Sequence, residues 1–162
     1  MKRLLIVLII LTSTTGLFAQ NTTQHQDTLD MLTSAIWEMV PDENMVMACD
    51  TYLAFGPNAY SNFMVWKGSK TSTTINYNYY LSDKKDLLFD PSKIGKVQNG
   101  KYLIVLSELA ESAVPVVYTI KTLTPDSFVF QQGEGMILTC KKAVGTDKLI
   151  DYAAKEFGVS LK

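Results

Sequence analysis

Thr73–Leu106, TTINYNYYLSDKKDLLFDPSKIGKVQNGKYLIVL, is the stretch whose reading decides the fold. Ile75, Tyr77, Tyr79 and Leu81 occupy every second position, with Asn76 and Asn78 between them. Such period-2 alternation marks a strand buried on one face. Ser82-Asp83-Lys84-Lys85 predicts a turn, Leu87-Leu88-Phe89 a short strand ended by Asp90-Pro91, and Tyr102–Leu106 a continuously apolar strand. Asn99-Gly100 before that last strand predicts a tight hairpin, because a primed turn needs positive φ at both central positions. Strand, turn and strand in succession make an antiparallel meander.

The same pattern extends in both directions. On the N-terminal side, Trp37 opens a first strand, Pro41-Asp42-Glu43-Asn44 turns, and Met45–Phe55 forms a second strand closed by Gly56-Pro57-Asn58. Tyr60–Trp66 is a third, with large side chains on both parities, and Lys67-Gly68-Ser69-Lys70 predicts the next hairpin. On the C-terminal side, Pro115 favours a loop over a helix after Glu108. Val116, Tyr118 and Ile120 then alternate, Thr124-Pro125-Asp126-Ser127 turns, and Phe128 and Phe130 lead to Gly133-Glu134-Gly135 and a last strand, Met136–Ala143. About nine strand signals at a spacing of roughly 8–12 residues predict an all-β barrel or sandwich.

The ends of the chain change period. Residues 1–20 combine Lys2 and Arg3, an apolar run from Leu4 to Leu11 and a small, polar stretch, the pattern of a secretory signal peptide. The run is about half the ~20 residues that a spanning helix needs, so no transmembrane anchor is expected. Residues 21–26 read as a flexible leader, and 27–162 as a single domain, periplasmic or secreted. Within it, Asp27 caps a short helix carrying Leu29, Leu32 and Ile36, and a C-terminal helix over 146–158 aligns Leu149, Ile150, Ala153 and Phe157. Asn21-Thr22-Thr23 and Asp27-Thr28-Leu29 match short glycosylation patterns of low specificity.

Composition excludes several functions. Without residues 1–20 the chain keeps 13 basic against 16 acidic side chains, and Arg3 is the sole arginine. Bidentate guanidinium contacts to phosphate or guanine are therefore missing, and no nucleic-acid partner is expected. His25, the only histidine, lies in the leader, so neither a Ser-His or Cys-His dyad nor a histidine-based zinc site is expected, and no cofactor is implied. Asp83, Asp86 and Asp90 alternate with lysines in turn positions, the pattern of a solvated loop. The chain reads as a binder, not an enzyme.

The early tryptophan strand, the meander, the Tyr79-Tyr80-Leu81-Ser82-Asp83 hairpin, Phe89-Asp90-Pro91-Ser92-Lys93, Asn99-Gly100-Lys101-Tyr102 and the terminal helix together resemble bacterial exported lipocalin-like proteins over Trp37 to about Lys142. This chain has Ala35-Ile36-Trp37 where that family has Gly-x-Trp, and Lys141 or Lys142 where it has a tryptophan-covering arginine. The resemblance implies an antiparallel up-and-down barrel of about eight strands, open at one end and holding a small apolar ligand. It also implies a barrel floor of Trp37 with Lys141 or Lys142. Phe55, Tyr77, Tyr79, Phe128 and Phe130 share the apolar parity of their strands and are the candidate interior, either as ligand wall or as core filling. The rival function is a ligand-free adhesive module or an inhibitor working through the outer surface.

Cys49 and Cys140, the only cysteines, lie on an early and on the last strand with apolar neighbours of the same parity. An oxidising compartment makes them disulfide candidates, closing a loop worth about 4 kcal/mol. The alternative is two buried thiols, required if the first strand lies between them.

Overall fold

A computed structural model describes residues 27–42, 47–67 and 72–144. Helix α1 (Thr28–Thr33) leads into eight strands: β1 (Ile36–Val40), β2 (Cys49–Phe55), β3 (Ala59–Trp66), β4 (Ser72–Ser82), β5 (Tyr102–Ser107), β6 (Val116–Leu123), β7 (Ser127–Gln132) and β8 (Ile137–Lys142). Each pairs antiparallel with the next, and β8 returns to β1 with Met39 opposite Cys140, so the barrel is closed. The expected signal peptide (1–20), leader (21–26) and C-terminal helix (146–158) lie outside the described residues.

The barrel has two unlike ends. At the base lie α1, the β2–β3 hairpin, in which Gly56 N–H donates to Ala59 O at 2.8 Å, and the β6–β7 turn, in which Thr124 N–H donates to Ser127 O at 2.8 Å. At the mouth, β1 ends, β2 begins, and the β7–β8 turn is closed by Gln132 N–H on Met136 O at 3.1 Å, with Gly133 at φ +57°. Alternation sends one set of side chains inward. Trp37, Leu53, Phe55, Tyr60, Tyr79, Leu81, Leu103, Val105, Phe128, Phe130 and Cys140 form that core, and α1 adds Leu29 and Leu32 from below.

The outward faces are also partly covered. Residues 83–101 form a strap across β4–β6, where Phe89 and Ile94 pack on Tyr80 and Ile104. One end is held near the mouth by Phe89 N–H donating to Ala113 O at 2.8 Å, and the other at the base by Leu29 N–H donating to Gln98 O at 2.9 Å. Within the strap, Asp86 accepts from Lys93 Nζ at 2.7 Å and from the Tyr80 hydroxyl at 2.8 Å. Those two donors, Lys93 first, hold the Asp86 carboxyl below its ordinary pKa. A second outer cluster joins Ile36, Ala54, Phe63 and Ala143.

Four expectations are corrected. Leu87-Leu88-Phe89 is not a strand: Leu87 and Leu88 are 85% and 65% exposed, and only Phe89 turns inward to the barrel wall, its ring 5.1 Å from that of Tyr80. Eight strands remain where nine signals were counted. Asn99-Gly100 is not a primed turn, since the positive-φ glycines among the described residues are Gly95 and Gly133. Asn99 instead accepts from Thr28 N–H at 2.9 Å and donates to the Asp27 carboxylate, while a Cβ on Gly100 would lie 2.6 Å from Ser82 N. Glycine is there because two backbones nearly touch. Asp27 holds the N-cap position of α1 but makes no side-chain cap, its carboxylate being committed to Asn99.

The disulfide is the fourth. Cys49 and Cys140 are both buried and both free. β1 pairs with β2 on one side and with β8 on the other, so it stands as a full strand between them. With strands about 4.8 Å apart, two intervening spacings put the pair beyond bonding reach.

Candidate functional site

Inside the barrel, side chains fill the base and leave the mouth half open. At the base, Trp37 packs edge-on to Phe128 (5.7 Å between ring centroids), Phe128 stacks on Phe130 (4.5 Å) and meets Phe55 (5.9 Å), and Phe55 meets Tyr79 (5.5 Å). The Tyr79 hydroxyl donates to Gly56 O at 2.6 Å, anchoring its ring to the β2–β3 hairpin. Burial raises the Tyr79 pKa, so the hydroxyl stays neutral at physiological pH. Four of the five aromatic candidates, Phe55, Tyr79, Phe128 and Phe130, are thus packed into the core.

The fifth, Tyr77, is half-buried and belongs to the open half. Tyr60 lies between Phe55 (4.8 Å) and Tyr77 (4.9 Å, rings 12° from parallel), so three rings form a ladder from base toward mouth. Tyr118, edge-on to Phe130 at 5.2 Å, faces the same space. Burial, then the neighbouring Tyr118 and Tyr77 hydroxyls, raise the Tyr60 pKa. Burial, then Tyr77, raises that of Tyr118. Tyr60, Tyr77 and Tyr118 therefore line one stretch of the interior, each held neutral by burial. Beyond them, the inward positions Asn62, Met64, Ile75, Ser107, Met39 and Leu138 are all partly exposed.

The two barrel-floor lysines stand differently toward Trp37. Lys141 points outward and pairs with Glu38 at 3.4 Å, while Lys142, opposite Trp37 in the ladder, is exposed. Trp37 is covered by Phe128 and by α1, whose Leu32 carbonyl accepts its indole N–H at 2.9 Å.

Tyr60, Tyr118 and Asn62 were missed as site residues. Tyr118 had a signal, the Val116–Ile120 alternation. Tyr60 and Asn62 lie on β3, whose large residues on both parities hide which face is inner; Phe63 proves to face outward. The tight β2–β3 turn carried the information, since it sets Tyr60 opposite Phe55 and Asn62 opposite Leu53.

At the rim, Met39, Val40, Pro41, Met47, Met136 and Leu138 line much of a cleft of about 360 Å³. That volume is within the range of small-molecule sites. Among the described residues no three His, Cys, Asp or Glu side chains come together to hold a metal ion, and no helix is long and apolar enough to cross a membrane.

No protein-family model matches the chain, and no curated protein does. Among solved structures it is similar to a lipocalin-like protein from Bacteroides uniformis, with 12% identity and a TM-score of 0.45, over 69% of this chain and 99% of that one.

Proposed function

We propose that this chain is an exported, lipocalin-like, non-catalytic barrel that binds or carries a small apolar ligand in the mouth half of its interior. The observation that carries the reading is the exposure gradient along most inward positions, from a buried Trp37, Phe55 and Phe128 at the base to a partly exposed Tyr77, Ile75 and Met64 toward the mouth, with Cys49 and Thr51 on β2 as the buried exceptions. A barrel stabilised by its filled lower half has no structural need for an open upper half, and eight strands enclose room for one small molecule. The export signal in residues 1–20 supports a periplasmic or secreted site of action. The interior offers ring faces, hydroxyls and an amide, and burial pushes the Cys140 thiol up to about 12, too high for it to serve as a nucleophile.

The test is native mass spectrometry of the protein purified from its own host, followed by titration of the stripped protein with the recovered compound. A co-purified molecule of a few hundred daltons whose binding quenches tyrosine fluorescence is expected. Protein free of any small molecule, which also takes up no apolar probe, would sink the reading. One feature favours the rival, an interaction module: Leu109 and Val114 on the β5–β6 connection and Met136 and Ile137 at the β7–β8 turn are more than half exposed around the mouth. Uptake of an apolar probe by the wild type but not by a Tyr77→Arg variant places binding inside the barrel and not on that rim.

A further inference from the structure

Among the described residues, the side-chain oxygen of Asn62 is buried without a hydrogen-bond partner. Asn62 faces inward, since it stands opposite the core residue Leu53 on one side and Ile75 on the other, one inward position beyond Tyr60 toward the mouth. Native interiors seldom leave such an acceptor unpaired, because it loses its water without replacement. Beside it, Tyr77 is the outermost and partly exposed ring of the Phe55–Tyr60–Tyr77 ladder, so a flat apolar body placed on it extends the stack. Electrostatics add a direction. Among the described residues the mouth carries Asp50, Glu108, Glu111 and Glu134, and Lys67 there pairs with Asp50 at 3.4 Å. Such a field repels anions.

We propose that the open half selects a flat, ring-bearing apolar ligand that carries an O–H or N–H donor and seats that donor on Asn62 Oδ1. The proposal rests on the binding reading above and names its ligand class. A carboxylate-headed ligand such as a fatty acid is disfavoured twice, by acceptor meeting acceptor and by the acidic mouth.

Three probes sharing one body separate the possibilities: 2-naphthol, its methyl ether and 2-naphthoate, titrated by calorimetry into the native protein and into Asn62→Leu. In the native protein, 2-naphthol should bind about tenfold tighter than the ether, the effect of giving a buried acceptor its donor, and naphthoate more weakly than either. In Asn62→Leu the gap between naphthol and ether should close while ether binding persists, which also reports that the variant is folded. Equal binding of naphthol and ether to the native protein, tightest binding of naphthoate, or a gap that survives in Asn62→Leu overturns the donor assignment and leaves the binding reading standing. Failure of all three probes to bind the native protein overturns both. The native-protein comparison decides the matter even where the variant does not fold.

Discussion

Trp37 donates its indole N–H to the Leu32 carbonyl at 2.9 Å, fastening α1 to the strand on which the barrel closes. Both residues are fully buried, so ring and hydrogen bond contribute separately. Trp37→Phe keeps most of the packing but strands the Leu32 oxygen, and should cost about 1–3 kcal/mol. Trp37→Ala also empties the base and should cost about 3–5 kcal/mol. Equilibrium urea denaturation reads both, and an unchanged midpoint in the alanine variant would remove Trp37 from the core.

Because β1 stands between Cys49 and Cys140, the protein should titrate as two free thiols after unfolding without reductant. Dithiothreitol should leave its melting temperature unchanged. In the folded state at pH 8, Cys140 should resist iodoacetamide, since burial raises its pKa to about 12 and keeps thiolate scarce. A thiol count below two, or a melting point lowered by reductant, contradicts this arrangement.

Asn62→Leu replaces an unpaired buried acceptor with a side chain that suits its neighbours Leu53 and Ile75. Without ligand the variant should be more stable than the native protein by about 1 kcal/mol, part of the 1–3 kcal/mol that an unsatisfied group costs. A loss of stability would mean that the amide is already satisfied in the free protein.

Alkaline pH should unfold the protein through its tyrosines. Burial, then the hydrogen bond to Asp86, raises the Tyr80 pKa to about 12, and burial raises those of Tyr79 and Tyr60. In the unfolded chain a tyrosine ionises near 10, so the unfolded state loses its protons first. The stability from each raised group is complete below pH ~10 and falls as pH climbs, for Tyr80 until about pH 12. Each such group contributes a slope of up to about 1.4 kcal/mol per pH unit. Tyr80→Phe should flatten the decline measured by urea denaturation between pH 9 and 11; an identical slope would count against the Tyr80 contribution.

Two glycines should respond differently to alanine. At Gly100 the added carbon lands 2.6 Å from Ser82 N, backbone that cannot swing aside, and the cost should be about 1–3 kcal/mol. At Gly133 a Cβ meets nothing within 4 Å, and only the left-handed backbone is penalised, by about 1–2 kcal/mol. Asparagine should recover part of the loss at Gly133 and none at Gly100. The reverse pattern in chemical denaturation would show that the close approach to Ser82 is absent.

The strands were legible wherever one face is core and the other is water. Ile75 to Leu81 alternates cleanly, and β4 follows it. Reading failed where apolar residues serve the outside of the barrel. Phe89 looked like part of a strand because it is buried, yet it is buried by the strap folding back on Tyr80, a contact that local periodicity does not encode. Asn99-Gly100 carried the residues of a hairpin, but Asn99 had a long-range task at α1 and Gly100 a steric one at Ser82. For the site, the aromatic parity located the interior wall but not its division into filled and open halves. That division depends on where ring planes meet across β2, β3, β4 and β7, which strand alternation leaves undetermined.

Closure through β1 and β8 joins positions about 100 residues apart, Trp37 to Lys142 and Val40 to Thr139. Until residue 142 is available, β1 has one neighbour and one bare edge, and no cylinder exists. Assembly must then wait for β8, and such distant pairing places folding on a scale of milliseconds to seconds. During that wait, the exposed edge of one molecule is a template for the unpaired strand of another. Refolding yield should therefore fall as protein concentration rises, even though each finished barrel leaves no strand edge to share.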